Sequence, residues 1–204
     1  MVSQPIYYII KGKENTMFVA KVFLNLFFQV LVMYLSAKRS NVVIGNERSF
    51  IDLVLYLSKF IILLVIAFVP MPLPIKFALL TVFSALAGAA VRTNKNLENA
   101  LKETSFIFLV LVVVGIISVQ LGIDMRPVGI FLIISLFGLL LFRLFNLTSR
   151  EDYIKILTVV FAIFVIYDTN NIMQRDYGGD FVDATLDYFQ DFSNLVTLQT
   201  ELDE

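Results

Sequence analysis

The chain has 204 residues, of which 58% are hydrophobic and only 16% charged, and its net charge is −1. A soluble domain usually carries about a quarter charged residues, so the composition reads as one polytopic bundle of membrane helices. The balanced charge excludes a nucleic-acid partner, which selects for basic patches. The absence of cysteine and histidine removes disulfides, thiol catalysis, haem–His ligation and zinc sites built from those residues. It also removes the usual switch near neutral pH, so pH sensing falls to carboxylates or, failing them, to a lysine. No cofactor is expected.

Residues 1–16 form a polar segment carrying Lys11 and Lys13. A first span is expected over 17–37. Ser36-Ala37 imitates a signal-peptide cleavage site, but the apolar run exceeds the roughly 7–15 residues of such a leader. Lys21, Asn25 and Gln29 recur every fourth residue and share one helical face. That face either packs on neighbouring helices or lines a wet cavity. A polar loop, 38–49, leads to a second span over 51–69, where Asp52, Tyr56 and Lys59 share a face. Lys59 lies well inside the apolar run, where it either snorkels to an interface or turns inward to a buried carboxylate. Pro70, Pro72 and Pro74 end that helix.

The third span, 75–91, is rich in small residues. Its Ser84 and Gly88 make a small-xxx-small pair that permits close helix approach in lipid. Arg92, Lys95 and Lys102 mark a polar linker before an almost wholly aliphatic fourth span, 104–121, expected to touch lipid. A turn at 122–127 precedes the fifth span, 128–145. Asn146-Leu147-Thr148 matches a glycosylation sequon but abuts the membrane, and no role is read into it. The sixth span, 153–168, closes on Asp168.

The segment 180–199 differs from the rest, and an acidic tail, 200–204, follows it. Asp183, Asp187 and Asp191 are spaced by four, Asn194 continues the stripe, and Phe181, Thr185, Tyr188, Phe189, Phe192 and Val196 make the opposite face. An amphipathic helix lying on the membrane surface usually carries Lys and Arg, and nothing after Arg175 is basic. A helix buried in the bundle, with its acidic stripe turned to water or cation, fits better. Ionisable groups inside a membrane domain are functional candidates by default, and Asp168 and Asp191 are read as a joint cation and proton site. Counting basic residues by loop leans toward an outside N-terminus.

Two motifs carry a resemblance. Val165-Ile166-Tyr167-Asp168-Thr169-Asn170-Asn171-Ile172 and Asp187-Tyr188-Phe189-Gln190-Asp191-Phe192 resemble the paired aspartate motifs of the Bax inhibitor-1 family (TMBIM or lifeguard-type membrane proteins). Phe18 to Gln29 resembles that family's first span, and L-L-T-V-F-S-A-L its third. The resemblance implies seven helices with the last in the centre of the other six, and a cytosolic N-terminus, against the charge count. It implies a calcium leak gated by protons at an aspartate pair, here Asp168 and Asp191, with calcium bound weakly as the transported ion. A basic residue on the second span can latch such aspartates, a part Lys59 would take. Asp183, Asp187 and Asn194 would support the site. Asn170 stands where the family usually has Gln, and Ser84-Ala85 where it has Glu-Gly.

Two carboxylates forced together in low dielectric share one proton. A leak also needs weak binding, because a tight site does not release its ion. The expected function is therefore a pH-sensitive calcium leak serving calcium homeostasis and restraint of cell death, and not an enzyme. Its partners would be the lipid bilayer, calcium, protons and apoptosis-regulating membrane proteins. The membrane would be endoplasmic reticulum or Golgi in a eukaryotic or viral setting, and the plasma membrane in a bacterial one. One rival is an interaction protein that restrains apoptosis without ion flux. A proton-coupled ion exchanger is a variant of the leak. The last rival is an intramembrane aspartyl protease, suggested by Tyr167-Asp168 with Tyr177-Gly178-Gly179-Asp180, although its first glycine is misplaced.

Overall fold

The computed structural model describes residues 12–43, 48–91, 97–175 and 177–202. Residues 1–11, Arg92, Lys95, the Asp52 side chain and the last two residues of the acidic tail lie outside the described residues. The described residues form seven α-helices: α1 (Gly12–Val43), α2 (Arg48–Phe68), α3 (Leu73–Ala90), α4 (Leu97–Gln120), α5 (Arg126–Leu144), α6 (Arg150–Gln174) and α7 (Phe181–Leu202). This is the all-helical membrane bundle that composition implied. Five helices, α1, α3, α4, α5 and α6, are long and apolar enough to cross a membrane. The apolar part of α2, Leu53–Phe68, is shorter.

Local chemistry sets the helix ends. Pro72 caps α3, whose first turn contains Pro74, where a missing N–H costs nothing. Ser149 caps α6, its Oγ accepting from the Asp152 backbone N–H at 3.1 Å, and Glu151 and Asp152 sit favourably in that helix's first turn. Asp180 caps α7, its Oδ1 accepting from the backbone N–H groups of Val182 (3.0 Å) and Asp183 (3.2 Å). The link into α7 turns through Gly178 and Gly179 at φ 59° and 83°, a region open to glycine at little cost.

The helices overrun the apolar runs. The polar stretch Asp168-Thr169-Asn170-Asn171 lies within α6 rather than after it. Inside a bundle, polarity on the inner face does not end a helix as long as its groups find partners. Here Asn170 Nδ2 donates to Ser118 Oγ (2.8 Å) and to the Ile123 carbonyl (3.1 Å), tying α6 to the end of α4.

Packing places α7 at the centre. It touches α1, α3, α4 and α6, whereas α2 rests chiefly on α3 and α5 on α6. Both of its faces are covered: Tyr188, Phe189, Phe192 and Val196 are buried, and so is Asp191. By contrast α5 leaves Ile130, Phe131, Ile133, Ile134 and Phe137 exposed, and α4 leaves Phe106, Leu109, Val110 and Val113 exposed. These are faces for lipid. A close approach joins α1 to α3 at Gly88, where a Cβ would overlap the Met33 backbone carbonyl. Ser36 Oγ donates to the Ala85 carbonyl at 2.6 Å beside it. The polar stripe on α1 divides by position. Lys21 is exposed, while Gln29 is fully buried, donating to Asn25 Oδ1 (3.0 Å) and accepting from Ser84 Oγ (2.8 Å). For Asn25 and Gln29 the stripe is helix–helix packing.

Candidate functional site: a carboxyl cluster on the central helix

Two glycines aim Asp168. On α5 a Cβ at Gly129 would strike the Tyr167 ring, and on α4 a Cβ at Gly115 would strike Thr169. With both flanking side chains seated against those backbones, Asp168 between them faces α7. Thr169 Oγ1 donates to the Val165 carbonyl (2.7 Å) and accepts from the buried Tyr188 Oη (3.0 Å), which locks α6 to α7 one turn from the carboxyl. Phe108 and Phe23 press on the Tyr188 ring with centroids 5.5 and 5.7 Å away.

Against this frame the carboxyls of Asp168 and Asp191 come within hydrogen-bonding reach of each other. A carboxyl–carboxyl hydrogen bond requires one proton between the two groups, because ionised carboxylates only accept. Asp191 is 5% exposed and its Oδ2 has no hydrogen-bond partner. Asp187, one turn earlier, lies within electrostatic reach of both. Its Oδ2 accepts from Tyr177 Oη at 3.0 Å. Tyr177 lies in the link before α7, stacked on Phe18 at 5.9 Å, with the Arg175 guanidinium 5.2 Å from its ring centre. Burial, reinforced by the Asp187 charge, pushes the Tyr177 hydroxyl well above its ordinary range, so it remains a donor.

The foot of α7 has another arrangement. Lys76 Nζ, from the first turn of α3, donates to Asp180 Oδ2 and to both oxygens of Asp183, each at 2.7 Å. Asp183 is thus ion-paired, and Asp180 is committed to both the helix cap and the lysine. Lys59 does not reach the aspartates: its ammonium lies 5.7 Å from the Phe83 ring centre and 5.8 Å from that of Tyr56. Asn194 is half-buried on α7, one turn beyond Asp191.

Sequence reasoning therefore missed Lys76 and Tyr177. A topological signal for Lys76 was present. In a run of spanning helices every odd one starts at the same side, so the first turns of α3 and α7 meet there. The sole cation in the first turn of α3 then faces the first aspartates of α7. Tyr177 had no periodic signal, since it lies in a turn.

These features define a multi-pass integral membrane protein with a carboxyl cluster at the middle of its bundle. The family model described as inhibitor of apoptosis-promoting Bax1 matches residues 15–198. The chain belongs to that family, the Bax inhibitor-1 family, a group of membrane proteins that is associated with inhibition of apoptosis and generally not enzymatic.

Proposed function

We propose that this protein is a pH-sensitive calcium leak, non-enzymatic, acting in an intracellular or plasma membrane and gated by the proton shared between Asp168 and Asp191. The observation that carries the reading is the buried Asp191, its carboxyl within reach of a second carboxyl and one of its oxygens unpartnered. With the proton in place the two side chains hold α6 against α7 and the path is closed. Loss of the proton leaves two negative charges in contact, which repel strongly in low dielectric. The contact opens, and its hard oxygens become a weak site for calcium. Asp187 adds a third carboxylate one turn away, and Tyr177 covers it from the link before α7.

The test is calcium flux into liposomes from about pH 6 to 8, for wild type, Asp168→Asn and Asp191→Asn. Flux should rise with pH in wild type and lose that dependence in both variants. Unchanged pH dependence in Asp191→Asn would overturn the mechanism.

The family's description favours a second reading, in which the protein restrains cell death by binding membrane partners, with no flux of its own. Flux no greater than that of empty liposomes at every pH would leave that reading standing. The protease reading has weak support, because Asp180, its second aspartate, is held by the α7 cap and by Lys76. Absence of substrate cleavage in wild type and in Asp180→Ala alike would dispose of it.

A further inference from the structure

Lys76 occupies an electrostatically poor position. It lies in the first turn of α3 and against the first turn of α7, and both ends carry the positive pole of a helix dipole, which disfavours a cation. Its side chain is only 11% exposed, so it has also lost most of its water. Asp180 and Asp183 offset both costs. Neither carboxylate needs the lysine to hold α7 in place, since Asp180 already caps it through two backbone N–H groups and acidic groups in a first helical turn are favourable unaided. Moreover, buried ion pairs are weak sources of stability. The residue is therefore better explained by what its charge does to other ions than by what it adds to the fold.

Exposure orders the three charged groups from outside inward. The Asp180 and Asp183 side chains are 25% and 40% exposed, while the ammonium lies behind them. Any cation entering at this end meets those two carboxylates first. The acidic face then continues in steps of four residues through Asp187 to Asp191. The first two carboxylates already hold a cation, and it is part of the chain.

We propose that Lys76 is a tethered competitor for divalent cations: its ammonium fills the Asp180–Asp183 pair and so limits how readily calcium enters the acidic face that leads to Asp191. The proposal rests on the leak reading and adds to it a residue that sets cation access. Without the lysine the two carboxylates carry uncompensated charge at the mouth, and entering calcium is attracted rather than matched against a resident charge. Arginine in its place retains the charge and the effect.

The experiment pairs two measurements on the full-length protein: calcium binding to detergent-purified protein by equilibrium dialysis, and calcium flux in liposomes. Variants are Lys76→Gln and Lys76→Arg, with thermal unfolding recorded for each. Removing one charge in contact with the site should lower the calcium concentration for half-maximal binding and half-maximal flux by about tenfold in Lys76→Gln. Lys76→Arg should match wild type, and the shape of the flux–pH profile should not change, since the Asp168–Asp191 pair is intact. A folded Lys76→Gln protein with wild-type calcium dependence would overturn the proposal, as would equal gains in Lys76→Arg. Should Lys76→Gln fail to fold, Asp183→Asn decides: it leaves Lys76 balanced one to one by Asp180, so calcium binding must weaken, and unchanged binding overturns the proposal. If wild type shows no flux, the leak reading fails, and the binding comparison still decides whether Lys76 competes with calcium.

Discussion

The two halves of the acidic face of α7 use the same residue for opposite ends. Asp180 and Asp183 sit at the partly exposed foot with a lysine 2.7 Å away. Asp187 and Asp191 sit deeper, where the described partners are a tyrosine hydroxyl and another carboxyl. The foot has a cation in direct contact; in the middle the direct contacts are a hydroxyl and a carboxyl, and Arg175 acts on Asp187 only from a distance. The difference teaches that a buried carboxylate is a structural group or a switch according to what neutralises it. A cation makes it permanent, and a proton makes it conditional.

The largest effect should come from Asp191→Asn. Its amide can donate to Asp168 without a shared proton, so thermal unfolding in detergent at about pH 8 should shift upward by the equivalent of about 1–3 kcal/mol. The same variant should lose the pH dependence of flux. A downward shift would show that the middle of the helix is not the frustrated half. Gly115→Val comes next. Its new side chain meets Thr169, an overpacking that costs about 1–3 kcal/mol, and it should weaken pH gating while leaving the Lys76 cluster intact. Asp183→Asn removes one partner of a half-exposed ion pair and should cost about 1 kcal/mol in chemical denaturation. Tyr177→Phe deletes the hydroxyl that Asp187 accepts, a loss of about 1 kcal/mol by the same measurement. A much greater loss would mean that Tyr177 seals the link before α7 rather than only donating to Asp187.

The smallest effect belongs to Asp124, in the turn before α5, whose carboxyl the Arg126 side chain and backbone hold at about 2. Because this value lies below the ordinary one, any stability it confers is complete above the ordinary carboxylate range and is lost only as pH falls toward 2. Asp124→Asn should therefore lower stability by only the small amount an exposed ion pair supplies, by the same amount at every pH from 6 to 8, and leave any flux–pH profile unchanged.

Much of this was legible before the structure. The i, i+4 recurrence of Asp183, Asp187 and Asp191, with aromatic residues opposite and no basic residue following, marked a helix unsuited to lipid, which an internal place fitted better than the membrane surface. The small residues of the third span announced the Gly88 contact, although not its partner Met33. What periodicity does not encode is pairing across long separations: Lys76 meets Asp180 and Asp183 more than a hundred positions away, a contact signalled only by the shared side on which α3 and α7 start. Lys59 was the more conspicuous lysine because it interrupts an apolar run more deeply. Its ammonium lies near the rings of Tyr56 and Phe83, neighbours that spacing alone did not reveal. The continuation of α6 past Asp168 was hidden for a related reason. Hydropathy records where lipid contact stops, whereas the helix stops only where its backbone partners do.

The position of α7 also bears on how the protein is made. It leaves the ribosome after all four helices that enclose it, so the shell must keep a vacancy among α1, α3, α4 and α6 until the last segment arrives. A stretch this acidic is a poor candidate for entering the bilayer on its own hydropathy and needs that vacancy as its route in. During synthesis, then, the polar groups that later meet α7, Thr169 and the Val22 carbonyl among them, serve as a waiting berth before they serve as a packed interior.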